Sequence, residues 1–217
     1  MIEYTEVEQK QIQEYWTEYF FSKFSNLPFD EQARQASVHS QCEINGFGRK
    51  LLKKSIRDKR LKDCINQYFS NFEEYKNEGK GVFLFGTAAT GKTLAATILA
   101  KNVLMIENPY NLNSFSIRFF FYDDLVHLSY DNKEYKKLDE YTRKPDILVL
   151  DNLGSESGLN TQGKSSVVLL ENILRNRDSA EKMTWITSTL PINKIESIYS
   201  KSVSRFVNEN FYPICTI

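Results

Sequence analysis

The stretch GVFLFGTAATGKTLAA, residues 81–96, constrains the fold more than any other part of the chain. Gly81 to Phe85 form a short apolar run of the kind a buried parallel strand presents. A glycine-bounded loop follows, and then a run of helix formers. Gly86, Gly91, Lys92 and Thr93 fit the pattern G-x-x-x-x-G-K-[ST] in the strand-to-helix context it requires. Glycines let the backbone curl with its N–H groups inward, which makes a nest for an anion. The start of the following helix adds partial positive charge. Lys92 can reach the β- and γ-phosphates of ATP, and Thr93 can set its hydroxyl on Mg²⁺. The expected nucleotide contacts are therefore Gly86, Thr87, Ala88, Ala89, Thr90, Gly91, Lys92, Thr93 and Leu94.

The flanking patterns alternate strand and helix. TLAATILAKNVLM (93–105) is helical in composition, and IRFFFY (117–122) reads as a second strand. Asp123 is placed to cap a helix over DLVHLSY. DILVL (146–150), TWITS (184–188) and YPICTI (212–217) read as further strands, with a helix over 165–177. Strands separated by helices predict βαβ units and an α/β fold, a three-layer sandwich around a five-stranded parallel sheet.

A nucleoside triphosphate needs a second contact to its metal. In DILVLDNLG an apolar run, Ile147 to Leu150, ends in Asp151, so a carboxylate is expected at a strand tip beside the Mg²⁺ shell. The net charge of zero provides no global field for polyanions, so nucleic-acid contact requires a local patch. Three scattered cysteines, Cys42, Cys64 and Cys215, form no C-x-x-C pair, which argues against a zinc site or a disulfide scaffold. No apolar run approaches a membrane span, and the first residues are acidic and polar. A cytoplasmic protein is expected.

Charge divides the chain. Residues 1–33 carry seven acids against Lys10 and Lys23, whereas RKLLKKSIRDKRLK (49–62) carries eight basic residues against Asp58. The expected organisation is an N-terminal helical partner-binding segment (1–45), a basic connecting helix (46–79) and a nucleotide core (80–217). On the first helix Ile12, Trp16, Phe20 and Phe24 recur every four residues. That stripe suits the protein's own core or the groove of a partner. Lys50, Lys53, Lys54, Arg57 and Arg60 fall on one face of a continuous helix, a solvated face or a track for a single-strand phosphate backbone. His39 and His127 have no metal-ligand companions and read as structural.

Residues 60–212 resemble the AAA+ ATPases of the bacterial helicase-loader type, the DnaC/DnaI group and the related transposition ATPase IstB. GVFLFGTAATGKT is similar to the family's Walker A and DILVLDNLGSE to its Walker B. ENILRNRDSAEKMTWITSTL is similar to its N-x-R helix and sensor strand, and SVSRF to the box that carries its arginine finger. The resemblance implies Arg205 as that finger, reaching a neighbouring subunit and making ATP an intersubunit glue. It also implies a DnaB-type replicative helicase as partner through the N-terminal segment, single-stranded DNA as ligand, and ATP-dependent self-association. Arg177 is a weaker finger candidate, since helix-dipole complementarity already explains an arginine there.

The chain departs from the family in three places. Asn152 stands where a second Walker B acid orients the attacking water, and an amide cannot accept a proton as a carboxylate does. Thr189 stands at the sensor asparagine. The family's helical lid with its second sensor arginine is expected to be missing after Arg205. Glu156 is near enough in sequence to replace the missing acid, and Lys164 lies in a loop that such ATPases turn toward a pore. The reading that follows is a helicase loader with weak ATP hydrolysis. The alternatives are an IstB-like transposition ATPase and a non-hydrolysing nucleotide-dependent adaptor.

Overall fold

The structure, a computed structural model, describes residues 3–107, 115–130, 135–155 and 163–216. Five helices precede the first strand: α1 (Glu6–Lys23), α2 (Phe29–Ile44), α3 (Arg49–Leu52), α4 (Lys59–Ser70) and α5 (Phe72–Asn77). Then come β1 (Gly81–Phe85), α6 (Lys92–Glu107), β2 (Ile117–Phe121), α7 (Tyr122–Tyr130), α8 (Tyr135–Arg143) and β3 (Ile147–Leu153). The chain continues through α9 (Gly163–Asp178), β4 (Met183–Ser188), α10 (Ile195–Ile198), α11 (Lys201–Asn210) and β5 (Phe211–Cys215). It divides into two compact units, Met1–Ser55 with Thr97–Ile117, and Ile56–Ala96 with Arg118–Ile217.

The second unit carries the sheet, in the order β2-β3-β4-β1-β5, with all strands parallel and helices flanking it. The α/β expectation and the five strands hold. β1, β3 and β4 are central and buried along almost their whole length, which is why each reads as an unbroken apolar run. β5 lies at an edge, where Pro213, lacking an N–H, is tolerated. Phe83, Leu148, Leu150, Ile173, Ile186 and Val203 belong to one apolar cluster beneath these elements.

Two local expectations are corrected. Residues 46–79 are not one basic helix. The first helix ends at Leu52, and Asp58 starts a new one by accepting a hydrogen bond from Leu61 N at 2.9 Å. Lys53, Lys54 and Arg57 therefore lie between helices, and the five basic residues do not share one helical face. Asp123 is not a cap either. α7 already begins at Tyr122, and Asp123 sits in its first turn, 3.4 Å from His127.

The first unit has its own core. Thr5 and Glu8 cap α1 reciprocally. Ile12, Trp16 and Phe20 of α1 are buried, as are Ala36, Val38 and Cys42 of α2. The aromatic stripe thus packs within the protein up to Phe20, and only Phe24 at its end is exposed. Trp16 Nε1 donates to Glu43 at 2.8 Å, and Arg49 pairs with the same carboxylate at 2.7 Å, so the buried charge is compensated. His39 lies against the Trp16 and Phe20 rings with Lys101 Nζ 3.5 Å away. Burial, followed by the Lys101 charge, lowers its pKa from 6.5 to about 4.

Arg177 is the second unit's polar bolt. Its buried guanidinium donates to Thr184 Oγ1 (3.0 Å), Thr142 O (2.8 Å), Pro145 O (2.9 Å), Asp146 O (3.0 Å) and Met183 O. Helix-dipole complementarity is therefore a minor part of why this arginine is there. Replacing it with Met leaves these acceptors in the dry interior, and Arg177→Met should cost about 3 kcal/mol or more. The exposed neighbour change Arg175→Met should stay within about 0.5 kcal/mol. Urea denaturation of both variants checks this.

The depressed His39 pKa makes stability pH-dependent. Between about pH 6.5 and 4 the unfolded chain binds the proton that the folded one refuses, so stability falls as pH drops through that window. The stability lost between pH 7 and pH 4.5 should be smaller in His39→Leu than in the wild type by about 2 kcal/mol, read from denaturant melts at the two pH values.

Candidate nucleotide site

The site is built where β1, β3 and β4 end at the same edge of the sheet, the edge at which open parallel sheets bind ligands. After Phe85 the chain turns through Gly86, whose φ of +153° and close approach to Thr216 both exclude a side chain. An added Cβ would lie 2.0 Å from Thr216 O. Ala89 (φ +63°) and Gly91 (φ +92°) also take left-handed backbone, the alternation that turns N–H groups into a loop's hollow. Thr90 fastens the loop, its hydroxyl bonding Thr87 O at 2.9 Å and the Thr216 hydroxyl at 2.6 Å. Thr87, Ala88 and Ala89 are exposed, and Leu94 is half-buried at the start of α6.

Lys92 is buried and folded onto this loop. Its ammonium donates to Gly86 O at 2.9 Å and Thr87 O at 2.6 Å. Burial lowers its pKa, and the Asp151 carboxylate partly offsets that. Thr93 donates to Asp151 Oδ1 at 2.9 Å and Oδ2 at 3.1 Å. Asp151 is itself buried. Desolvation raises its pKa, while the hydroxyls of Thr187 and Thr93 and the Lys92 charge lower it. The expected pair of Thr93 and Asp151 is therefore in direct contact.

Thr187, which the sequence reading missed, completes the group. Its hydroxyl donates to Asp151 Oδ1 at 2.6 Å and accepts from Asn152 N at 2.9 Å. Nothing in the local sequence marks it, because its place depends on β4 lying between β1 and β3. Thr189, two residues on, is exposed. Asn152 is exposed too, with a left-handed φ of +65°. Its carbonyl accepts from the Ser155 hydroxyl at 2.8 Å.

A hydroxyl and a carboxylate form an all-oxygen donor set that suits Mg²⁺. Among the described residues no group of three or more His, Cys, Asp or Glu side chains could hold a metal ion. Mg²⁺ commonly takes one or two protein oxygens and draws its remaining ligands from phosphates and water. Beside the loop lies a cavity of about 430 Å³, lined by Arg60, Leu61, Cys64, Thr90, Cys215 and Thr216. Its volume is in the range of small-molecule sites.

Arg205 is an exposed residue of α11 and pairs with Glu209 at 2.8 Å. Lys50, Lys53, Lys54 and Arg57 are exposed. The Lys53 ammonium is engaged within the chain, lying over the Tyr19 ring at 4.7 Å and the Tyr15 ring at 5.0 Å. Glu156 lies outside the described residues, and so does the Lys164 side chain.

The backbone of Asn152 restricts what can replace it. Asn, Asp and Gly enter left-handed conformation readily, while longer side chains resist it. Asn152→Gly should keep wild-type stability within about 0.5 kcal/mol, and Asn152→Glu should lose about 1 kcal/mol, measured by thermal or urea denaturation.

No protein-family model and no curated protein matches the chain. Solved structures do. DnaI is similar over 79% of this chain and 95% of its own, with 19% identity and a TM-score of 0.61. The DnaC helicase loader is similar over 76% and 92%, with 23% identity and a TM-score of 0.54. AMPPCP-bound DnaA from Aquifex aeolicus is similar over 78% of this chain but 51% of its own, with 17% identity and a TM-score of 0.59. With its strand order, its glycine-bounded loop after β1 and these neighbours, the chain has the α/β fold of DnaI and the DnaC helicase loader, a five-stranded parallel sheet flanked by helices.

Proposed function

We propose that this protein binds ATP·Mg²⁺ through residues 86–94, Asp151 and Thr187, and acts in DNA replication as a loader of a DnaB-type helicase onto single-stranded DNA. One observation carries the nucleotide part: Lys92, Thr93, Asp151 and Thr187 converge at the carboxyl edge of the sheet, next to a glycine-bounded loop. In this reading the loop N–H groups and Lys92 hold the phosphates, and Thr93 and Asp151 hold the metal. The bound metal would neutralise charge on the phosphoryl oxygens. The cavity beside Thr90 has room for the nucleoside. The loader part rests on the likeness in fold to DnaI and DnaC. DNA contact through Lys50, Lys54 and Arg57, and a pore contact through Lys164, belong to the same proposal, as does helicase contact through residues 1–45.

Arg205 is proposed to act on a neighbouring subunit's nucleotide. Its exposure leaves it able to exchange Glu209 for a phosphate. The amide of Asn152 favours a second reading, a nucleotide-dependent adaptor that hydrolyses ATP slowly or not at all.

Lys92→Ala should abolish the rise in melting temperature on adding ATP and Mg²⁺. A shift that survives this substitution undiminished removes the phosphate-loop assignment. Arg205→Ala should keep ATP affinity near wild type and lose ATP-dependent self-association, followed by light scattering. Basal turnover should lie well below ~10 s⁻¹, and Asn152→Asp should raise it without tightening ATP binding. Fast wild-type hydrolysis that Asn152→Ala leaves unchanged would contradict the slow-turnover reading. Co-purification with a DnaB-type helicase, with and without residues 1–45, tests the partner.

A further inference from the structure

We infer that Thr187 is a positioning residue for the metal site, acting through one hydroxyl that grips both residues of a bulge in β3. The inference rests on the ATP·Mg²⁺ reading above. Leu150 pairs with Ile186 and Leu153 pairs with Ser188, with an irregularity between them. Two residues of β3, Asp151 and Asn152, therefore stand opposite the single residue Thr187 of β4. Such two-against-one bulges re-aim side chains, and they gather next to functional sites.

Both bulge residues bond the same oxygen. Asn152 N–H donates to Thr187 Oγ1 at 2.9 Å, and the Thr187 hydroxyl donates in turn to Asp151 Oδ1 at 2.6 Å. A hydroxyl has one proton to give, and the incoming N–H directs it toward the carboxylate. Thr187 is almost fully buried, so water does not substitute for it. The second hydroxyl on Asp151, that of Thr93, is itself a candidate metal ligand. Thr187 is the donor whose bond to the carboxylate is compatible with Thr93 turning to a cation.

The same contact holds Asn152 in its left-handed backbone, with Ser155 bonding the carbonyl from the other side. One hydroxyl thus sets the aim of the metal-binding carboxylate and the path of the next residue. Partners that orient a metal-ligating side chain typically change metal affinity by about 10–100-fold.

The test is binding of a fluorescent ATP analogue to the full chain, in EDTA and in excess MgCl₂, for wild type, Thr187→Ser and Thr187→Val. The readout is the ratio of the two affinities. Magnesium-free ADP binding reports separately on the phosphate loop, and circular dichroism reports on folding. Thr187→Val should lose about tenfold of the magnesium ratio, and Thr187→Ser should stay close to wild type. A wild-type ratio in Thr187→Val overturns the inference. So does a loss in Thr187→Ser as large as that in Thr187→Val, because the hydroxyl would then not be the cause. If Thr187→Val does not fold, Thr187→Ala takes its place under the same criteria. A wild-type protein that binds no nucleotide in either buffer defeats the underlying ATP reading instead, before any variant is compared.

Discussion

Three parallel strands, β3, β4 and β1, end at one edge of the sheet, and the polar groups of the site hang from those ends. Parallel pairing makes this possible, because strands running the same way bring their carboxyl ends together. β1 delivers the loop, β3 delivers Asp151, and β4, lying between them, delivers Thr187. A carboxylate buried at such a place is costly unless it is bonded, and Thr93, Thr187 and the nearby Lys92 charge meet that need. In the proposed reading the arrangement serves stability and chemistry together, since Thr93 and Lys92, which help hold Asp151, are also the groups a metal and phosphates would engage.

Burial of polar groups recurs at a structural joint within each unit. In the second unit Arg177 satisfies four carbonyls and a threonine hydroxyl at the base of β3 and β4. In the first unit Glu43 receives Trp16 and Arg49. Both are charges that remain buried because their hydrogen-bonding capacity is met, and removing either partner would leave an unmatched group. Each ties together segments of chain that have no shared periodicity, so neither is visible as a pattern in the sequence.

The basic stretch after residue 48 shows how local context divides residues of like charge. Arg49 and Lys53 lie over aromatic rings of α1, and Arg49 also neutralises Glu43. Arg60 lines the cavity beside the glycine-bounded loop. What reads as one basic face is thus split among packing, cavity wall and exposed surface.

The sequence alone determined the glycine-bounded loop, the buried strands and the α/β class. These follow from short-range physics: glycine's freedom at Gly86 and Gly91, and the apolar runs that a doubly covered parallel strand requires. Asp151 was legible for the same reason, as an acid closing an apolar run. Thr187 was not, because a threonine in TWITS gains meaning only once strand order puts β4 between β1 and β3. The fate of the aromatic stripe was likewise open until α2 was seen to cover Trp16 and Phe20. The break at Lys53 was hidden by a helix-compatible charge pattern, and Asp58 decided it by capping a new helix. That break is local, three residues separating Asp58 from Leu61. Tertiary structure settled Thr187 and the aromatic stripe because each depends on a neighbour distant along the chain, and periodicity carries no information about which distant surface a residue will meet.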